Sequence, residues 1–239
     1  MTTDIQQHLD KTVQQLRDSL GDNLYSCCLY GSAVRGNFIE GVSDLNLIII
    51  LNESTPVAHQ AIAQILGADR QIDPFILSRR GLPGDARAFA PKFASIKRNY
   101  RVLYGADPFQ AVQLDPNLER FLCEQALRNL HLRIVYAFVL RGRDRGYEKF
   151  LVRSLIPIFA QFSEVLRLEG TTVPKEFDAR IPLMEKEFKI DGSILRDLLA
   201  FKKKPQKLSE ADAIAWHERL FPVIDAVVKW LELKWSQTR

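Results

Sequence analysis

Polar and apolar positions alternate in two regimes along this chain. Over residues 4–20 the apolar side chains Ile5, Leu9, Val13, Leu16 and Leu20 recur at helical spacing, which predicts an amphipathic helix. Thr3 or Asp4 can cap its start, and Gly21 stops it. Leu24 to Tyr30 is a short apolar and aromatic run, and residues 47–51 are continuously apolar, so both read as strands, the second covered on both faces. Thr55-Pro56 supplies a cap and a first helical residue for a helix to about Leu66, and residues 71–78 read as a third strand. Gly and Pro make residues 78–85 a loop by composition. Helical character resumes over 88–99, with Pro91 near its start.

From Asp115-Pro116 the period becomes helical throughout. Helices are predicted over 117–140, 147–168 (with Pro157 kinking it), 174–188, 193–203 and 209–235, the last containing Pro222 and opening on the capping pattern Ser209-Glu-Ala-Asp212. The fold class is therefore α+β: a small mixed-sheet domain over residues 1–112, then an all-helical bundle over 113–239. No internal repeat and no low-complexity tract interrupts either half.

The most informative stretch joins the first two strands. Gly31 permits a sharp turn and a close approach of backbone to a ligand. Ser32 adds a hydroxyl and a backbone N–H at a helix start, a setting suited to phosphate. Asp44 and Asn46 are two residues apart, so on a strand they share a face and offer two oxygen donors. Oxygen donors near a phosphate cradle suit a magnesium–nucleotide complex. Turn formation alone would explain the glycine and serine, but not Arg35 and Asp44 together.

These residues resemble the signature of the nucleotidyltransferase superfamily of the DNA polymerase β-type fold, in which Gly-Ser is followed about ten residues later by Asp-x-Asp at the head of a strand. Gly31, Ser32, Arg35, Gly36, Ser43 and Asp44 match it; Asn46 stands where the family has Asp. The resemblance spans roughly residues 20–110 and includes Tyr100-Arg-Val-Leu-Tyr-Gly-Ala-Asp-Pro108, similar to a run that closes the first domain in a bacterial subset. It implies that Gly31, Ser32, Arg35 and Ser43 bind the nucleotide and that Asp44, Asn46 and Asp73 form the catalytic and metal-holding set. Asp73, the single acid of the third strand, is then the third carboxylate; read without the family, it is a strand-entry residue beside the turn-forming Pro74. Arg35 touches phosphate, or braces the loop against Asp44 or Glu40. A second departure from the pattern lies in the helix before Tyr100, where Lys92 and Ser95 stand at positions expected to be acidic.

The implied function is Mg²⁺-dependent transfer of a nucleoside monophosphate from a nucleoside triphosphate, ATP first among them, to a small-molecule or protein acceptor. An aminoglycoside-like acceptor is one possibility within that class. The alternative is a catalytically weak or inactive module of the same fold, a pseudoenzyme that binds a nucleotide or a protein partner; Asn46, Lys92 and Ser95 favour it. A toxin–antitoxin component is a third reading, for which the chain is long. The resemblance assigns the nucleotide to the first domain and the shaping of the acceptor site to the second.

Composition narrows the setting. The net charge of +4 and pI near 9.0 suit anionic ligands without the clustered basicity of a dedicated nucleic-acid binder. Cys27, Cys28 and Cys123 have no zinc spacing and no even pairing. No apolar run approaches membrane-spanning length and the polar N-terminus lacks a signal-peptide core, so a cytoplasmic location without membrane contact is expected. Oligomeric state is not legible.

In the helical half, His131 lies among Leu130, Leu132 and Ile134 and reads as structural. Glu124 and Glu148 read as solvated helix faces, with a general-base role as the alternative. Arg141, Arg143 and Arg145 form a basic loop, and Lys202, Lys203 and Lys204 a basic helix end; either can clamp an anion or simply be solvated. Trp216, Trp230 and Trp235 fall at near-helical spacing and read as packing residues.

Overall fold

The computed structural model describes residues 3–35, 38, 44–142 and 146–235, the side chain of Arg35 excepted. The chain forms two compact units, Met1–Leu118 and Glu119–Arg239. In the first, α1 (Thr3–Leu20) leads through a short 3₁₀ turn into β1 (Leu24–Tyr30), followed by the single turn α2 (Ser32–Arg35), β2 (Leu45–Leu51), α3 (Pro56–Leu66), β3 (Ile72–Ser78), α4 (Leu82–Ala88), α5 (Ala90–Arg98) and β4 (Tyr100–Gly105). The second contains α6 (Pro116–Val139) from its second turn, α7 (Tyr147–Leu168), α8 (Phe177–Phe188), α9 (Ser193–Lys203) and α10 (Glu210–Trp235).

The four strands make one mixed sheet in the order β3-β2-β1-β4. β1 pairs antiparallel with both β2 and β4, while β2 and β3 are parallel through the crossover helix α3. Successive side chains point to opposite faces, so each strand feeds two cores. Cys27, Leu29, Leu45, Leu47, Ile49 and Leu51 face α1 and α3, packing on Leu9, Leu16 and Ile62. Cys28, Ile48, Ile50 and Leu77 face the other way, onto Leu82 and Ala86 of α4 and Phe93 and Ile96 of α5. The unbroken apolar run of β2 follows from this double burial.

Four parts of the sequence expectation change. Residues 82–85, read as part of a loop over 78–85, belong to α4 (Leu82–Ala88). Pro83 occupies the first turn, where its missing N–H and fixed φ are tolerated, and the Gly81 N–H donates to Ser78 Oγ at 3.0 Å. Leu82 and Ala86, four apart, bury into the core beneath them, so burial outweighs a loop-like composition. The Arg-Val-Leu-Tyr-Gly run, to which no element was assigned, is the edge strand β4. β2 also begins two residues earlier than predicted, which brings Asn46 into the sheet. The predicted helix over 174–188 begins at Phe177, because residues 174–175 lend their carbonyls to Arg180 instead.

The helical unit packs around Leu127, Leu151, Phe159, Phe162, Met184 and Ile224, each essentially inaccessible to solvent. Pro157, Pro182 and Pro222 all lie inside helices. Arg180 is buried at 7 % exposure and is held by the carbonyls of Pro174 and Lys175 and by Ser163 Oγ, the satisfaction that burying a guanidinium requires. No described helix is long and apolar enough to cross a membrane.

Candidate functional site

At the end of β1 the chain reaches Tyr30, then Gly31 at φ +82°, a left-handed conformation that glycine adopts without steric cost. α2 follows as one four-residue turn, too short for a developed helix dipole. Its useful donors are therefore the Ser32 hydroxyl and the local backbone N–H groups. Ser32 is half-buried. The backbone of Arg35 closes the turn, and its side chain lies outside the described residues, as do Gly36, Glu40 and Ser43.

Sheet register assembles the next part. Tyr30 pairs with Asn46 across β1–β2, and Asn46 pairs with Asp73 across β2–β3. Tyr100 of β4 pairs with Tyr30 from the other side. Directly paired residues share a face, so Asp73, Asn46, Tyr30 and Tyr100 form one row on the side covered by α4 and α5. Asp44 immediately precedes β2, two residues from Asn46, and its backbone carbonyl accepts from Asn46 Nδ2 at 3.2 Å. That bond occupies the amide nitrogen and leaves Asn46 Oδ1 as the acceptor for a ligand. Asp44 and Asp73 are exposed, and Asn46 is half-buried.

The surroundings of Asp73 are uneven in charge. Two residues along β3 on the same face, Phe75 presents its ring to the ammonium of Lys92 on α5, 3.5 Å from the ring centroid. Lys92 is an exposed residue, yet its ammonium is partly desolvated against that ring; this lowers its pKa from the usual lysine value, while the charge of Asp73 opposes the shift. Tyr30 is pushed up to about 12, by burial first and then by Asp73. Tyr100 is likewise pushed up to about 12, by desolvation and by its hydroxyl donating to both oxygens of Asp107, at 2.9 and 2.7 Å.

One magnesium ion fits the donor chemistry. Mg²⁺ takes one or two carboxylates, keeps waters and shares substrate phosphates; Asp44 and Asp73 with Asn46 Oδ1 supply such a set. A second ion does not fit equally well. Position 46 carries an amide, Lys92 brings a positive charge to the same face, and among the described residues no three His, Cys, Asp or Glu side chains converge to hold a metal.

Of the residues singled out from sequence, the structure brings Gly31, Asn46 and Asp73 together, with Asp44 and Ser32 adjacent in the chain. Tyr30 and Phe75 have no role assigned from sequence, and Tyr100 stands there only as part of the run that ends at Pro108; their place beside Asn46 and Asp73 comes from sheet register. Lys92 stands out in the sequence as a departure, but its proximity to Phe75 does not.

Several of the residues singled out in the helical unit have local partners. His131 Nε2 lies 3.2 Å from Asp225 Oδ1, off the line of a good hydrogen bond, and its ring packs on Phe221. Glu124 pairs with Arg128 at 2.9 Å. Glu148 turns its carboxylate back over Gly146. Arg141 binds Glu210 and covers the Phe138 ring at 4.2 Å, while Arg143 and Arg145 lie outside the described residues. Lys202, Lys203 and Lys204 are exposed at the end of α9. Trp216 packs on Phe201, Trp230 on Phe188, and Trp235 Nε1 donates to Glu169 at 2.9 Å.

The sequence matches no family model and no curated protein. Among solved structures, the chain is similar to the spectinomycin adenyltransferase AAD(9) from Enterococcus faecialis, solved with ATP and spectinomycin: the TM-score is 0.60 at 13% identity, over 95% of this chain and 98% of that one. At that identity the likeness is one of fold. The chain has the nucleotidyltransferase fold, followed in the sequence by a helical domain.

Proposed function

We propose that the protein is a nucleotidyltransferase that moves a nucleoside monophosphate from ATP to an acceptor, most simply the hydroxyl of a small molecule. The observation that carries this reading is the meeting of the Gly31 turn with the Asn46–Asp73 pair, in a fold whose solved neighbour was determined with ATP and a small molecule. Residues 1–112 form the nucleotide-binding domain and residues 113–239 the helical domain that selects the acceptor.

In this reading the Gly31 backbone, Ser32, Arg35 and Ser43 hold the phosphates. Asp44, Asn46 and Asp73 hold one Mg²⁺, which when bound aligns the phosphates and neutralises charge developing on them. The acceptor oxygen attacks the α-phosphate, a new P–O bond forms, the bond to the bridging oxygen breaks, and pyrophosphate leaves. The acceptor proton passes to a general base. Three buried free cysteines and the absence of a membrane-spanning helix among the described residues suit a reducing, cytoplasmic setting.

A second reading is favoured by one specific feature. Asn46 removes a unit of negative charge from the metal set, and several kcal/mol of lost transition-state stabilisation would slow turnover by orders of magnitude at about 1.4 kcal/mol per tenfold. The protein then binds nucleotide, alone or with a protein partner, without transferring it.

Calorimetric titration with non-hydrolysable ATP and GTP analogues, with and without Mg²⁺, tests the common core of both readings. Binding is expected, with Mg²⁺ strengthening it. Failure of every nucleotide to bind would overturn both. Pyrophosphate release on addition of hydroxylated small molecules then separates enzyme from binding module.

A further inference from the structure

The sheet face that carries Asn46 and Asp73 also holds a cation of the protein's own. α5 covers this face, burying Phe93 and Ile96 in its core, and one residue before Phe93 it extends Lys92 over Phe75. Phe75 follows Asp73 by two residues and pairs with Ile48, itself two residues from Asn46. The ammonium thus lies over β3, the strand that bears Asp73, and the charge of Asp73 acts on it.

We infer that Lys92 supplies, as a fixed ammonium on this face, the positive charge that a second divalent cation would otherwise bring to the phosphates of the bound nucleotide. The inference rests on the nucleotide reading above and goes beyond it. Its core is charge balance. Three carboxylates with two divalent ions leave one unit of net positive charge for the phosphates. Two carboxylates, Asp44 and Asp73, with one divalent ion and one ammonium leave the same unit. Asn46 and Lys92 are therefore one compensated change. The first removes the charge that would attract a second ion, and the second restores the attraction for phosphate without an ion.

The geometry suits the role. A lysine head is a compact point charge with three donors, able to serve phosphate oxygens that differ in position. Its stem is normally mobile, but the Phe75 ring restrains the head through the attraction of a cation to the ring face. Lys92 is exposed, so an anion can reach it without displacing a buried partner.

The test is calorimetric titration of the full chain with a non-hydrolysable ATP analogue, in EDTA and in Mg²⁺, for the wild type, Lys92→Met and Lys92→Arg. Methionine keeps a similar stem against Phe75 and removes the charge; arginine keeps the charge. Wild type is expected to bind in EDTA. Lys92→Met is expected to lose about tenfold or more of that affinity, about 1.4 kcal/mol, and Lys92→Arg to stay within about threefold of wild type. Mn²⁺ bound per chain in the presence of the analogue is expected to be one for wild type and two for the double variant Asn46→Asp/Lys92→Met. Unchanged EDTA affinity in Lys92→Met, wild-type binding only with Mg²⁺, or two Mn²⁺ on the wild type would each overturn the role of Lys92 and leave the nucleotide reading standing. No binding by any variant in either condition would overturn the nucleotide reading itself, and Lys92 with it. Thermal melts identify a variant that has not folded, in which case Lys92→Gln replaces Lys92→Met.

Discussion

Gly31 and Asn46 are fitted to each other: a Cβ added at Gly31 would lie 3.0 Å from Asn46 Nδ2. The turn after β1 and the head of β2 thus meet at Gly31, which has no side chain, and at the Asn46 amide. Gly31→Ala is expected to strain a backbone at φ +82° by about 1–2 kcal/mol and to push the Asn46 amide from its place. Denaturant melts should register the first effect. Nucleotide titration should register the second as a loss of about tenfold or more, beyond what the lowered stability explains.

Asp73 acts on Tyr30 through its charge. Asp73→Asn is expected to lower the Tyr30 pKa from about 12 part of the way toward its ordinary value of 10.0, and only part, because burial is the larger cause. Ultraviolet titration of the tyrosinate band reads this directly. The same variant should weaken Mg²⁺-dependent nucleotide binding about tenfold. An unmoved tyrosine titration would separate Asp73 from the row to which sheet register assigns it.

Gly105 closes β4 at φ +77°, and a Cβ there would fall 2.1 Å from the Tyr25 carbonyl oxygen. Neither atom belongs to a flexible side chain, so the strands must part. Gly105→Ala is expected to cost roughly 3 kcal/mol or more, among the larger effects of a single substitution. A urea melt should show the loss in the Met1–Leu118 unit. Ala at Gly21, where φ is +50° but no atom lies within 4 Å, should cost only about 1 kcal/mol.

His217 stacks on Phe138 with ring centroids 3.9 Å apart, and its Nδ1 lies 3.0 Å from the Tyr147 hydroxyl. Burial, followed by the nearby Arg141, lowers its pKa below the ordinary 6.5, with Glu218 opposing. The unfolded chain therefore takes up the proton first as pH falls. The stabilising effect of the neutral ring is complete above about pH 6.5 and is lost as pH drops through the folded-state pKa. Thermal melts from pH 8 to 5 should show the helical unit weakening with acid, and His217→Gln should flatten that slope.

Cys27, Cys28 and Cys123 are buried and free. Burial raises all three thiols, Cys28 to about 11, against the opposing hydrogen bond from Ser26. At pH 8 the native protein should resist alkylation by iodoacetamide for hours, while all three sites should modify rapidly in denaturant. Mass spectrometry after a timed reaction checks this. Fast labelling of Cys28 would mean that the sheet opens readily beneath α5.

Much of this protein is local in origin, and what is local can be read in the sequence. The helical period of Ile5, Leu9, Val13 and Leu16, the Thr55-Pro56 cap and the doubly apolar run of β2 each determine an element from side chains within a few residues of one another. The Gly31-Ser32 turn and the Asp44-x-Asn46 spacing likewise lie in one stretch, so their chemistry could be named without coordinates. Tertiary structure alone decided the rest. Residues 82–88 are helical because Leu82 and Ala86 find a core that their own neighbours do not contain. Tyr30, Asn46 and Asp73 form a row because β1, β2 and β3 pair in one particular register. A slip of one residue would send each side chain to the opposite face, and no periodicity within a single strand excludes it. Lys92 reaches Phe75 only because α5 packs across the sheet from a strand seventeen residues earlier in the chain. Local pattern determines what each segment is; pairing and burial between distant segments determine which residues meet, and the charge balance of the proposed site depends on that meeting.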